Sequence, residues 1–183
     1  MTDSGKNDPL PVKSKDGAER SARELIDSLA SQYGLRIDDK TVNKDFRDCF
    51  GKNHERASDG RFDLTYSVRA PLPGAEHGKA LGPMRKRLEA EGYKILGYRA
   101  EPSQALMDAK GGSDNLFLSV DSYGRRDSNA LVFSVNTPCF LPPGVKQEQV
   151  SAPAPDAGPV TPKDPRLALM APTGPARPDN PFG

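Results

Sequence analysis

The sequence predicts an α+β domain: a two-layer sandwich of a mostly antiparallel sheet with helices on one face. Three observations predict it. An amphipathic helical pattern comes first, and Phe62, Leu64, Tyr66 and Val68 then alternate with polar residues as in a half-buried strand. A second helical pattern follows, and after Gly92 the chain reads as a run of strands joined by polar turns. Such an order suits helices packed on one face of an antiparallel sheet.

In chain order, residues 1–15 read as an N-terminal tether, because Gly, Asp, Asn, Pro9 and Pro11 stand there without apolar periodicity. Asp16 supplies an N-cap, with Glu19 placed to close a capping box. Ala18, Ala22, Leu25, Ile26, Leu29, Ala30 and Tyr33 mark one face of a helix over Asp16–Tyr33, stopped by Gly34. Leu35–Lys52 stays open between a short helical face (Val42, Phe46, Cys49, Phe50) and irregular structure leading into a polar loop. A strand over Arg61–Arg69 ends before Pro71 and Pro73. A helix over Ala75–Glu91 turns Leu81, Met84 and Leu88 inward, with Gly82-Pro83 marking a kink or its first turn. Strands are expected at Tyr93–Ala100, Ala105–Lys110, Asn115–Ser122 and Asn129–Thr137, the middle two forming a hairpin. The expected core comprises Leu25, Ile26, Leu29, Phe62, Leu64, Tyr66, Val68, Leu81, Leu88, Ile95, Phe117, Leu131, Phe133 and Val135.

One domain, residues 16–142, accounts for this pattern. Residues 143–183 read as a disordered Pro/Ala-rich tail, since eleven of the chain's 18 prolines fall from Pro142 onward. Its one apolar island, Leu167–Met170, reads as part of that tail. The mean hydropathy of −0.67 and 35% hydrophobic content describe a modest core diluted by polar ends. A cross-link would help such a core.

Cys49 and Cys139 stand just outside the two ends of the folded region. That placement fits a disulfide formed in an oxidising compartment, the alternative being two reduced cysteines in the cytosol. The bond would close a loop of about 90 residues, worth on the order of 4 kcal/mol. No apolar run is long enough to span a bilayer. The start, Met1–Asp8, is polar and reads as no signal peptide, which alone suggests the cytoplasm; a signal removed upstream of Met1 reconciles it with a disulfide.

Charge and motifs narrow the chemistry. The 26 basic and 25 acidic residues leave a net +1, with no basic stripe, and no Trp is present to stack on bases. Nucleic-acid binding is not expected. Neither GxSxG, GxxxxGK[ST] nor a post-strand GxGxxG occurs. Two Cys and two His without CxxC or HxxxH spacing argue against a metal site, and no cofactor is expected. A Cys49–His54 nucleophile pair is a poor candidate, as His54 lies in a polar loop. Asp59, Asp63, Asp108, Asp114, Asp121 and Asp127 sit in turns or on exposed strand faces with no evident acid/base couple. The densest basic residues, Arg85, Lys86 and Arg87 with Arg125 and Arg126, read as solvated positions or as a patch for an acidic partner or anionic headgroups.

The succession of a polar leader, an amphipathic helix, Phe46-Arg-Asp-Cys49-Phe-Gly, an alternating strand, Leu81…Leu88-Glu-Ala-Glu-Gly-Tyr93 and Phe133-Ser-Val-Asn-Thr-Pro-Cys139 resembles a known pattern. It is similar to the ectodomain of small lipoproteins of high-GC Gram-positive (actinobacterial) cell envelopes, in which a lipid-modified cysteine precedes a Ser/Gly/Asp-rich tether. The resemblance implies an extracytoplasmic, lipid-anchored location and a disulfide, and it carries no catalytic residues. The functional expectation is a monomeric, non-enzymatic envelope module. It would bind a protein or cell-surface partner through the open sheet face or the Arg85–Arg87 side, touching a membrane only through a lipid anchor. An envelope hydrolase or transferase and a cytosolic partner-binding protein are the alternatives.

Overall fold

A computed structural model of the chain describes residues 8–50, 57–102, 104–122 and 129–149. Helix α1 (Lys15–Ser31) precedes strands β1 (Asp38–Asp48) and β2 (Phe62–Pro71). A 3-10 turn (Gly74–Glu76) leads into α2 (His77–Ala90), followed by β3 (Lys94–Arg99), β4 (Leu106–Gly111), β5 (Leu116–Ser122) and β6 (Ala130–Asn136). The strands form one sheet in the order β1-β2-β6-β5-β4-β3, with every neighbouring pair antiparallel. The fold is the α+β sandwich that the order of elements predicts. The last strand occupies the middle of the sheet, so the β1–β2 pair and the β3–β5 meander become one sheet only when β6 pairs with both.

Alternation places the core. On β2, Phe62, Leu64, Tyr66, Val68 and Ala70 are buried; Leu131, Phe133 and Val135 of β6 and Leu116, Leu118 and Val120 of β5 share their face. Against that face pack Ala18, Ala22, Ile26 and Leu29 of α1 and Ala80, Leu81, Met84 and Leu88 of α2. Each large side chain so buried contributes about 1.5–3 kcal/mol of apolar transfer. The small residues of α1 let the helix lie close to the sheet. At the start of α2 the approach is closer still, because a Cβ on Gly78 would lie 2.0 Å from the carbonyl oxygen of Ala100.

Several expectations are corrected. The cap of α1 is Ser14, whose Oγ accepts the Gly17 N–H at 3.0 Å, rather than Asp16, which lies inside the first turn. Much of the ambiguous Leu35–Lys52 segment is strand β1. Val42 and Phe46 mimic a helical face because residues four apart share a side in a strand as well. Helix α2 runs through Pro83. Phe117 is not in the core: the buried parity of β5 belongs to Leu116, Leu118 and Val120, which puts Phe117 on the opposite face. Leu25 and Ile95 are only partly buried at the core's margin.

The ends of the domain are hydrogen-bonded to each other. Val12 forms a parallel bridge with Leu141, Leu10 N–H donates to Gln147 Oε1 at 2.9 Å, and Gln147 Nε2 donates to the Asp8 carbonyl at 2.8 Å. Residues 8–14 of the expected tether and residues 143–149 of the expected tail are therefore held against the domain. The remainder of both segments, Leu167–Met170 included, lies outside the described residues.

Candidate functional site

The strand side chains that point away from the helices assemble into rows set by register. The central row is Ser67, Ser134, Ser119, Asp108 and Gly97, contributed by β2, β6, β5, β4 and β3. On one side lie Thr65, Asn136, Phe117, Lys110 and Lys94; on the other, Arg69, Val132, Asp121, Leu106 and Arg99. Larger side chains flank a line of small ones, so the face is a shallow trench ending at Asp108. Gly97 keeps that end open, since a Cβ there would come within 3.3 Å of Asp108 Oδ2. Among the described residues no helix or further strand covers this face.

Two carboxylates on this face are left without a donor. Burial pushes the Asp121 carboxyl up from its ordinary value, and the neighbouring Asp108 carboxylate adds to the shift. Neither aspartate has a hydrogen-bond or ion-pair partner among the described residues. Burial also pushes Asp63 up, although Arg47 Nε donates to it at 3.0 Å. From there a polar line continues through Arg47 and Thr65, whose Oγ1 donates to Asn136 Oδ1 at 2.8 Å.

At the end of the sheet where β1 finishes, Cys49 and Cys139 form a disulfide with Cα atoms 6.1 Å apart. The bond rules out Cys49 as a nucleophile, and His54 lies outside the described residues. Beside it the buried pair Asp59–Arg61 forms a clasp. Arg61 Nη2 donates to Asp59 Oδ2 at 2.5 Å and to the Glu148 carbonyl at 2.8 Å, while Glu148 N–H donates to Asp59 Oδ2 at 2.9 Å. The Glu148 carboxylate in turn accepts the Ser58 N–H and hydroxyl. The Arg61 hydrogen bonds hold the Asp59 carboxyl down at about 2.

His77 and Ser122 form the one Ser–His contact among the described residues, with Nδ1 and Oγ 2.7 Å apart. His77 is wholly buried, and its Nε2 donates to the Leu72 carbonyl at 2.9 Å. Nδ1 therefore accepts the Ser122 hydroxyl, whose oxygen accepts the Ala105 N–H at 2.9 Å. Every polar group is satisfied within the core, so the pair stitches α2 to β5 rather than presenting a nucleophile.

The expected basic patch is only partly placed. On α2, Arg85 Nε contacts Glu89 and Arg87 Nε contacts Glu91, each at 2.8 Å, while Lys86 is exposed. Arg125 and Arg126 lie outside the described residues. Two open depressions flank α1. One, about 550 Å³, is lined by Tyr33, Leu35, Ile37 and Leu72, with Arg36 and Asp38 at its polar side; the other, about 420 Å³, by charged residues of α1 and Tyr66. Among the described residues no group of three His, Cys, Asp or Glu could hold a metal, and no helix is long and apolar enough to cross a membrane. The disulfide is compatible with an extracellular location.

Compared with models of protein families, with curated proteins and with solved structures, the chain matches none.

Proposed function

We propose that the protein is a non-enzymatic, extracytoplasmic binding module of a cell envelope, lipoprotein-like in its attachment, that engages a protein or cell-surface partner through the helix-free sheet face. The carrying observation is that face. It gathers hydroxyls, the aromatic ring of Phe117 and the two partnerless carboxylates Asp108 and Asp121 into a shallow trench. Half-buried carboxylates that lack protein donors cost stability, and a partner bringing N–H or O–H groups would recover that cost. The disulfide supports the compartment, and the satisfied, buried His77–Ser122 contact removes the best-formed catalytic pair from consideration. Attachment would come from a lipid anchor upstream of the tether, as in the envelope lipoproteins that the sequence resembles.

The test is site-specific photo-cross-linking in intact envelopes. A photoreactive amino acid placed at Ser119 should give defined adducts, and the same group at the exposed Glu24 of α1 should give none. Equal labelling from both positions, or none from Ser119, overturns the reading.

A further inference from the structure

We propose that the β3 edge of the sheet is a docking site for an acidic, extended segment of a partner protein. The inference rests on the binding-module reading; it shares Lys94 and Arg99 with the margin of the helix-free face but takes its pairing from the open β3 edge, so cross-linking from Ser119 and peptide binding at β3 can fail separately. Strand β3 has a neighbour on one side only among the described residues. The opposite terminal strand, β1, carries charges of both signs along most of its length, a common guard against unwanted pairing. In β3 the charges stand only at the ends, Lys94 and Arg99, and both are positive. Between them Leu96 is 50% exposed and Tyr98 37%. The register shift between Ile95 and Gly97 makes Leu96 the extra residue of a bulge, a device that re-aims a side chain.

The positive charge of this edge is that of Lys94 and Arg99, neither of which has an ion-pair partner among the described residues. On the helix side the Arg85 guanidinium, ion-paired to Glu89, lies 4.7 Å from the Tyr98 ring centroid and holds that ring at the edge. A second copy fits poorly. Antiparallel pairing of two β3 strands sets Lys94 against Arg99, parallel pairing sets each cation against its own kind, and the bulge breaks the register. A chain with acidic ends and an apolar middle fits both features, because side chains on one face of an extended segment recur about every 7 Å and meet Leu96 and Tyr98 between the flanking cations.

The full chain is titrated against a dye-labelled peptide, Glu-Asp-Val-Thr-Val-Asp-Glu, against its analogue with lysine at each acidic position, and against phosphatidylglycerol vesicles. The acidic peptide should bind saturably, more weakly as salt rises, with amide NMR shifts confined to β3 and the start of β4. Lys94→Glu combined with Arg99→Glu should lower its affinity about tenfold or more, and Leu96→Ser several-fold, without loss of melting temperature. Absence of saturable binding at millimolar peptide overturns the proposal. So do equal binding of the lysine peptide, shifts centred on the helix-free face, dimerisation through β3, or binding of the vesicles but not the peptide.

Discussion

Asp59, beside the disulfide, is met by the Arg61 guanidinium and by the Glu148 N–H, and its carboxyl is held down at about 2. Asp121, in a flanking row of the helix-free face, is also removed from water, but it meets no donor among the described residues and stands near Asp108, so its carboxyl is pushed up. The chemical group is the same and both are partly desolvated; the difference is whether the fold supplies the counter-charge. Where the chain secures its own ends, desolvation is matched by ion pairing. Where the sheet meets solvent, it is left unmatched, and such unmatched groups are the ones a binding partner can complete.

The sharpest way to break this contrast is to remove the covalent part of the secured end. Cys139→Ala should lower stability by about 4 kcal/mol, read as a shift of the denaturation midpoint in urea. A loss below 1 kcal/mol would mean that the clasp and the Val12–Leu141 bridge hold the ends without the bond. Asp59→Asn comes next. It leaves the buried Arg61 charge without its carboxylate, which should cost about 3 kcal/mol. The pH dependence has a definite sign. The folded-state value of Asp59 is depressed from 3.8 to about 2, so its contribution is full above pH 4 and is lost as pH falls toward 2. Acid titration of the wild type and of Asp59→Asn should therefore converge at low pH. Parallel curves would show that the pair carries no pH-linked stability.

Both regions were unequally legible in the sequence. Period-2 alternation over Phe62–Val68 and the helical face of α1 were readable because each lies within one continuous segment, and the two cysteines bracketed that pattern. The Asp59–Arg61–Glu148 clasp joins residues almost 90 positions apart, and nothing local distinguishes Asp59 from an ordinary turn aspartate. Likewise the trench exists only after β6 inserts between β2 and β5, which brings Ser67, Ser134 and Ser119 side by side. Phe117, an aromatic in a predicted strand, reads as core, but the parity of the whole strand decides its side and buries Leu116, Leu118 and Val120 instead. His77 carried a faint signal: it was one of only two histidines and stood at the start of the second helical pattern, yet its partner Ser122 is 45 positions away.

The smallest expected effect tests the other half of the contrast. Asp121→Asn keeps the shape of the side chain and removes the charge that burial and Asp108 disfavour. With a folded-state carboxyl raised above its unfolded value of 3.8, the wild type is at no disadvantage well below that value, where Asp121 is protonated in both states, and it loses stability as pH rises from there through the raised value. The variant should therefore match the wild type in acid and become more stable toward pH 7. The expected gain is about 0.5 kcal/mol, since the group is only half-buried and solvent screens part of the penalty. Paired chemical denaturation at about pH 2.5 and at pH 7 measures it. A variant less stable than the wild type at pH 7 would show that Asp121 accepts a structural hydrogen bond after all, and the face would lose its claim to be incomplete. A gain in stability accompanied by loss of cross-linking from Ser119 would tie the unmatched charge directly to partner binding.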